Sequence, residues 1–376
     1  MGQEAYDELM ARLRALFWER LAPIVADAGL VQAPLWPQVK DLLAEAGVLG
    51  LLIPAEYGGS GLTVRQYLPV ISELAKLHGG LRLLVHVHCS FTYLLARIGS
   101  DKQRSALLIP AAAGHKSVAF ALTESAGGSG RDVSTRITTA NGATRLDGHK
   151  WLVSNATLAS HVIVIAADET AGGGLSAVLV ALDAPGVHVR PMPPAMGCDG
   201  SDLGEIEFDN VVITDTDFVG GRGDGARCMA AVLSIGRVFI AGSCLGIADR
   251  AYDLSADYAI SRVTFDKPLA DRPGIQRYLA EMAMDRYALS TMLADVAGKW
   301  DAGLPVEAES SLVKLFAIEA VARVTDRALL VVGGRACVRG HPLERLYRDA
   351  RLATFEEGPP SVLYTVAIRS LLNERR

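Results

Sequence analysis

Two acidic residues, Glu356 and Glu357, precede Gly-Pro-Pro at the end of an Arg-rich, helix-like run. Taken alone, such a pair is a solvated helix end. Buried against a ligand, one carboxylate becomes a candidate general base, because loss of water raises its pKa and strengthens it as a base. Other clusters could carry chemistry, but each has a plainer reading. His86, His88 and Cys89 could be drawn as metal ligands. On a helix, however, residues i and i+2 point roughly 200° apart, and the flanking LRLLVHVHCSFTYLLARI fits a buried helix. Cys337, close to a glycine pair, has no histidine that sequence alone can bring to it, and a free cysteine usually packs as a small hydrophobe. The run GGRGDG (Gly220 to Gly225) is glycine-rich like a dinucleotide loop. That fingerprint needs a strand–turn–helix opening a βαβ unit, and no such alternation follows, so a flexible interdomain linker is expected.

The elements that must position these residues fall into three stretches. Up to residue 116 apolar residues recur at helical spacing, as in Val39, Leu42, Leu43 and Tyr67, Val70, Ile71, Leu74, with Gly/Pro clusters between helices. From 117 to 225 short runs rich in β-branched residues (VAFAL, HVIVIAA, SAVLVAL, VHVRPM, IEFDNVVI) predict a compact antiparallel β-domain. From 226 to 376 helical periodicity returns in four long segments, which predict an antiparallel four-helix bundle. The predicted fold class is therefore α+β: helical domain, central β-domain, C-terminal bundle.

Composition fits a globular chain of more than one packed unit. Of 376 residues, 50% are hydrophobic and 21% charged, with a formal net charge of −5. No basic tract suggests nucleic acid, and no uncharged apolar run approaches the roughly 20 residues that cross a bilayer. The first helix carries acids from its start and lacks the basic-then-apolar layout of a secretory signal. The five cysteines form no paired spacing. A cytoplasmic protein is expected.

Eight segments, in order, resemble the acyl-CoA dehydrogenase family over nearly the whole chain. They are GVLGLLIPAEYGGSGL (Gly47 to Leu62), FALTESAGGS (Phe120 to Ser129), LDGHKWLVSN (Leu146 to Asn155), MGCDGSDLGEIEFDNVVI (Met196 to Ile213), YAISRVTFDKPL (Tyr258 to Leu269), LAEMA (Leu279 to Ala283), VVGGRA (Val331 to Ala336) and ERLYRDARLATFEEG (Glu344 to Gly358). The resemblance implies FAD between β-domain and bundle, in a homotetramer or homodimer whose neighbouring subunit helps hold the pyrophosphate. It also implies oxidation of an acyl thioester, carried by CoA or an acyl-carrier protein, with electrons passing to an electron-transfer flavoprotein.

Residue by residue, the resemblance makes Glu357 the base that removes the α-proton while flavin N5 takes the β-hydride. Such a C–H is weakly acidic, and a carboxylate of ordinary pKa, roughly 4.3, is a poor base for it; burial beside substrate and flavin strengthens it. Phe120, Leu122, Thr123, Trp151 and Ser154 are expected at the flavin ring, with Gly127 and Gly128 allowing a close turn and Ser129 near phosphate or the substrate arm. Arg262 and Phe265 are expected to reach the partner's FAD, where a guanidinium fork suits pyrophosphate, with Leu330, Gly333 and Gly334 beside the adenosine half. Arg237 is expected near the substrate entrance, and Glu356 in the acyl pocket.

The chain departs from the family at several of these places. Ser125 replaces a Pro, and GSGRDV is two residues longer than usual. Trp151 directly follows Lys150, leaving Leu152 in the usual Trp place. Leu330 and Pro273 replace glutamines that touch FAD, and Pro359 replaces a Thr, removing a hydroxyl and an N–H. The losses imply weaker FAD contacts, and Glu356 in the acyl pocket implies a small or polar acyl group. Alternatives are an oxidase or monooxygenase on the same fold, or a flavin-poor scaffold.

Overall fold

A computed structural model of the chain describes residues 1–26, 34–125, 127 and 132–373. The helix–β–helix order expected from the sequence is the observed one. The N-terminal helices are α1 (Gln3–Ala15), α2 (Ala22–Ala26), α3 (Trp36–Glu45), α4 (Val64–Leu77), α5 (Gly79–Ile98) and α6 (Asp101–Ala112). Capping boxes open two of them, Thr63 with Gln66 on α4 and Ser100 with Gln103 on α6. These end contacts also join the layers. The Gln103 amide donates to the carbonyls of Thr216 and Phe218 at the exit of the β-domain, and the Asp301 carboxylate accepts the backbone N–H groups of Val64 and Arg65.

The strands are β1 (Val118–Ala121), β2 (Arg136–Ala140), β3 (Ala143–Ser154), β4 (His161–Asp168), β5 (Gly174–Ala181), β6 (Val187–Pro191) and β7 (Leu203–Ile213). They form one sheet of order β1-β4-β2-β3-β7-β6, with β5 also on β4. Most pairings are antiparallel, but β4 runs parallel to both β1 and β2, so the sheet is mixed. Strand β4 has neighbours on both edges and is covered on both faces, which is why HVIVIAA is a continuous apolar run. Ile163 and Ile165 face a core shared with α5 and α6, while Val162, Val164 and Ala166 face the sheet's own core.

The GGRGDG run is not a loose linker. Arg222 forms a two-pronged pair with the fully buried Asp168 carboxylate at 2.9 and 3.1 Å, and the Gly223 N–H donates to Ser176. A buried carboxylate needs such partners, and here they pin the turn.

Beyond it lie α7 (Gly225–Ser261), the hairpin β8–β9 (Val263–Thr264, Lys267–Pro268), α8 (Pro273–Asp301), α9 (Glu307–Val332), α10 (Pro342–Ala353) and α11 (Pro360–Asn373). Helix α7 is long and apolar enough to cross a membrane, with mean hydropathy 1.8 in its most apolar window, yet 72% of that window is buried inside the protein. Its residues Val238 to Ala241 are fully buried, packed among α4, α5, α8 and α9. Helix α9 in turn packs on α7, α8, α10 and α11.

Candidate active site

Glu357 lies in the turn between α10 and α11, with φ +53. A non-glycine residue pays for this left-handed backbone, and it persists where the surroundings over-determine it. The surroundings are visible. Lys314, fully buried on α9, directs its ammonium at the carbonyls of Thr354, Glu356 and Gly358, the last at 2.6 Å. Arg237 on α7 donates from Nε to the Glu357 carbonyl and from Nη1 to Ser311, each at 3.3 Å. Burial lowers the Lys314 ammonium to about 8, against the opposing pull of Glu357 and Glu356. Burial likewise lowers the Arg237 guanidinium, opposed by Glu357 and Glu307.

The Glu357 side chain is only 12% exposed, which removes it from the class of solvated helix ends. Its Oε1 meets Nε2 of His86 at 3.3 Å. Gly236 on α7 lies beneath it, and a Cβ built there would fall 2.7 Å from Glu357 Cδ. Gly236→Ala is therefore expected to leave the fold intact, since a flexible side chain can swing aside, while moving the carboxylate. Displacement of a reacting group by about 1 Å costs about 10²-fold in rate. Steady-state kinetics beside a melting curve will separate the two effects; unchanged kcat would contradict the placement.

Glu356 differs from its expected role. Its carboxylate does not stand open to a ligand but accepts both terminal nitrogens of Arg82, at 2.6 and 2.8 Å. Arg82 is fully buried on α5 and also donates to Cys198 Sγ at 3.4 Å. Burial works to raise the Glu356 carboxyl, but the Arg82 guanidinium, helped by Lys314, holds it below the usual carboxylate range. The charge of Glu356 is matched within the protein. Arg237, expected at the entrance, is instead 4% exposed and braces the backbone of Glu357.

A second group gathers at the ends of β1 and β3. The Trp151 backbone N–H donates to the Thr123 carbonyl at 2.8 Å. Between Lys150 and Val153 strand β3 shifts register against β7, and Leu152 takes φ +56 and is 44% exposed. This bulge is the structural form of the displaced tryptophan. Beneath it, the fully buried Lys150 bonds the Leu122 carbonyl at 3.0 Å and Glu124 at 2.8 Å. Ring-on-ring contact with Phe91, at 5.1 Å, fixes Phe120, and Ser154 ends β3 opposite Leu203. Gly128 and Ser129 lie outside the described residues.

Glu124 anchors this corner. Burial opposes its charge, but hydrogen bonds from Lys150, Ser134 and Thr135 outweigh burial and hold its carboxyl at about 2, below the ordinary 4.5. The unfolded chain therefore binds more protons between those values, and stability present above about 4.5 is lost as pH falls towards 2. Glu124→Gln is expected to flatten the fall in melting temperature across that window; an unchanged slope would contradict the assignment.

A third group sits at the bundle end. Arg262 caps α7, and Phe265 on the β8–β9 turn has φ +47 and is 90% exposed. Arg335 stacks 5.2 Å over Tyr258, bringing the Gly333–Gly334 turn to the same end of α7. Leu330 is 55% exposed there. Among the described residues, no hydrogen bond or stacking contact joins this group to the β1–β3 group.

Arg82, His86 and Lys314 were missed by reading the sequence for this site. The one available signal was a cation or imidazole on an apolar helix face, as in SLVKLFA and LRLLVHV.

Residues 3–115, 119–211 and 223–372 match the models of the N-terminal, middle and C-terminal domains of acyl-CoA dehydrogenases. An acyl-CoA dehydrogenase of Bacillus subtilis (strain 168) is 32% identical over 341 residues, 89% of each chain. A 3-(aryl)acrylate reductase of Clostridium sporogenes (strain ATCC 15579) is 31% identical over 373 residues, 97% of this chain and 98% of its own. The structure of butyryl-CoA dehydrogenase from Megasphaera elsdenii superposes with a TM-score of 0.92 at 28% identity, covering 99% of both chains. The chain belongs to the acyl-CoA dehydrogenase family.

Proposed function

We propose that this protein oxidises a small or polar acyl thioester between its α and β carbons, with Glu357 removing the α-proton. The observation that carries the reading is a carboxylate withdrawn from solvent on a strained turn that Lys314 and Arg237 clamp from two helices. Burial of this kind is what a carboxylate needs to act on a weakly acidic C–H. Among the described residues the Glu357 backbone N–H has no partner. It is free to donate to a thioester carbonyl, where it would stabilise the developing enolate.

The residues present fit FAD. Leu152 and Phe265 hold large apolar side chains exposed on left-handed backbone, and a Cβ built at Gly333 or Gly334 meets nothing within 4 Å. Such strain beside open surface is characteristic of ligand contacts. Phe120, Leu122, Thr123, Trp151 and Ser154 would hold the ring system, and Arg262, Phe265, Leu330, Gly333 and Gly334 the phosphate and adenosine part. Because no hydrogen bond or stacking contact joins the two groups among the described residues, a neighbouring copy completing each site accounts for both. FAD, when bound, supplies the acceptor for the β-hydride.

The preference for a small or polar acyl group rests on the polar imidazole of His86 beside the base, which a long apolar chain would leave in poorer surroundings. The thioester carrier is CoA or a carrier protein, and an electron-transfer flavoprotein is the expected acceptor. The test compares anaerobic bleaching by short, polar and long-chain thioesters on CoA and on a carrier protein. Fast reaction with short or polar groups supports the reading, and equal preference for long-chain acyl-CoA refutes it. The reverse reaction is a second reading, favoured by the 31% identity to an arylacrylate reductase. It predicts that the reduced protein is reoxidised faster by an unsaturated substrate than the oxidised protein is bleached by a saturated one.

A further inference from the structure

Glu357 has two carboxylate oxygens, and among the described residues one is engaged. Oε1 lies 3.3 Å from Nε2 of His86, a residue 2% exposed in the middle of α5. One turn further along, Ser90 Oγ lies 3.4 Å from His86 Nδ1. The ring of Phe239 stands edge-on to the imidazole at 6.3 Å and 89°. A neutral imidazole has one donor and one acceptor nitrogen. A carboxylate oxygen only accepts, so the hydrogen shared with Glu357 sits on Nε2, which leaves Nδ1 to accept from the Ser90 hydroxyl.

We propose that His86 is a positioning residue for the proton step: its Nε2–H holds Oε1 of Glu357 and leaves Oε2 as the atom that takes the α-proton. This rests on Glu357 being the base. In the step the α C–H bond breaks, its electron pair remains with the thioester as the enolate, and the proton forms an O–H bond at Oε2. His86 keeps its own hydrogen throughout. A donated hydrogen bond favours the charged carboxylate, so His86 fixes the aim of the base. The other ionisable groups around the pair are Arg82 from α5, Arg237 and Cys244 from α7, Lys314 from α9, and Glu356 from the same turn. Among the described residues none of their side chains bonds either Glu357 carboxylate oxygen, so the pairing with His86 is specific.

The test follows deuterium uptake from solvent into acetyl-CoA, which has α-hydrogens but no β-hydrogen to lose, across a pH series on the flavin-loaded protein. His86→Leu removes the donor and is expected to move the acid limb of the uptake rate upward by about one pH unit, with flavin binding retained. His86→Gln, which can keep a donor, should move it less. Ser90→Ala frees Nδ1 to carry the hydrogen and should shift the limb in the same direction as His86→Leu; it serves as the test if the leucine variant does not fold. An unmoved limb in the variants that fold, or a shift to lower pH, overturns the proposal. Glu357→Gln separates the two claims. If it still exchanges deuterium, the base is misassigned; if it does not and the His86 and Ser90 variants behave as wild type, only the role of His86 fails.

Discussion

Glu357→Gln is expected to give a folded, yellow protein that no thioester bleaches under anaerobic conditions. The amide keeps the shape of the side chain and can still meet His86, so the turn held by Lys314 and Arg237 has no reason to open. What is lost is the proton acceptor. General-base catalysis contributes about 10²- to 10⁴-fold, and a loss of that size in the bleaching rate, with unchanged melting temperature and flavin content, is the predicted result. Bleaching at the wild-type rate would remove Glu357 from the mechanism. Gly236→Ala is the milder companion, moving the same carboxylate without altering its chemistry.

Arg82→Met should produce the largest loss of stability. It leaves the Glu356 carboxylate, 14% exposed, without the guanidinium that binds both its oxygens. Breaking one side of a buried ion pair costs about 3–5 kcal/mol, mostly through the charge left behind. The double variant Arg82→Met with Glu356→Leu should therefore recover much of the loss, because a buried pair replaced by apolar residues of similar volume is often neutral. Denaturant unfolding of the two single variants, the double variant and the wild type measures the coupling. Additive losses would show that the pair contributes little as a pair. The same variants address selectivity: a carboxylate committed to Arg82 is not available to a substrate cation, so Glu356→Gln should change stability more than it changes the ranking of acyl groups.

The layout was legible because it is written in local patterns. Helical spacing in α4 and α5 and β-branched runs in β4 and β5 each report on their own segment. The parallel pairing of β4 with β1 and β2 was not legible, since strand order is decided by packing between segments rather than within them. The linker reading of GGRGDG failed for the same reason: its glycines were visible, but the buried Asp168 that pins Arg222 is far away in sequence. At the site, the segment ERLYRDARLATFEEG pointed to Glu357 as the candidate base. Its environment was not legible. Arg82 and Glu356 are 274 positions apart, and His86 and Glu357 are 271 apart. In sequence each of these polar residues was only an exception on an apolar helix face.

The central claim is that a buried Glu357 removes an α-proton while a β-hydride leaves to flavin. Its most direct test is anaerobic bleaching of the FAD-loaded protein by one short acyl thioester in three forms: unlabelled, α-deuterated and β-deuterated. The account predicts that the unlabelled compound bleaches the flavin and that each labelled form does so more slowly, because both C–H bonds break on the way to the reduced state. A flavin that stays oxidised with every thioester, or bleaching indifferent to label at both carbons, would contradict it.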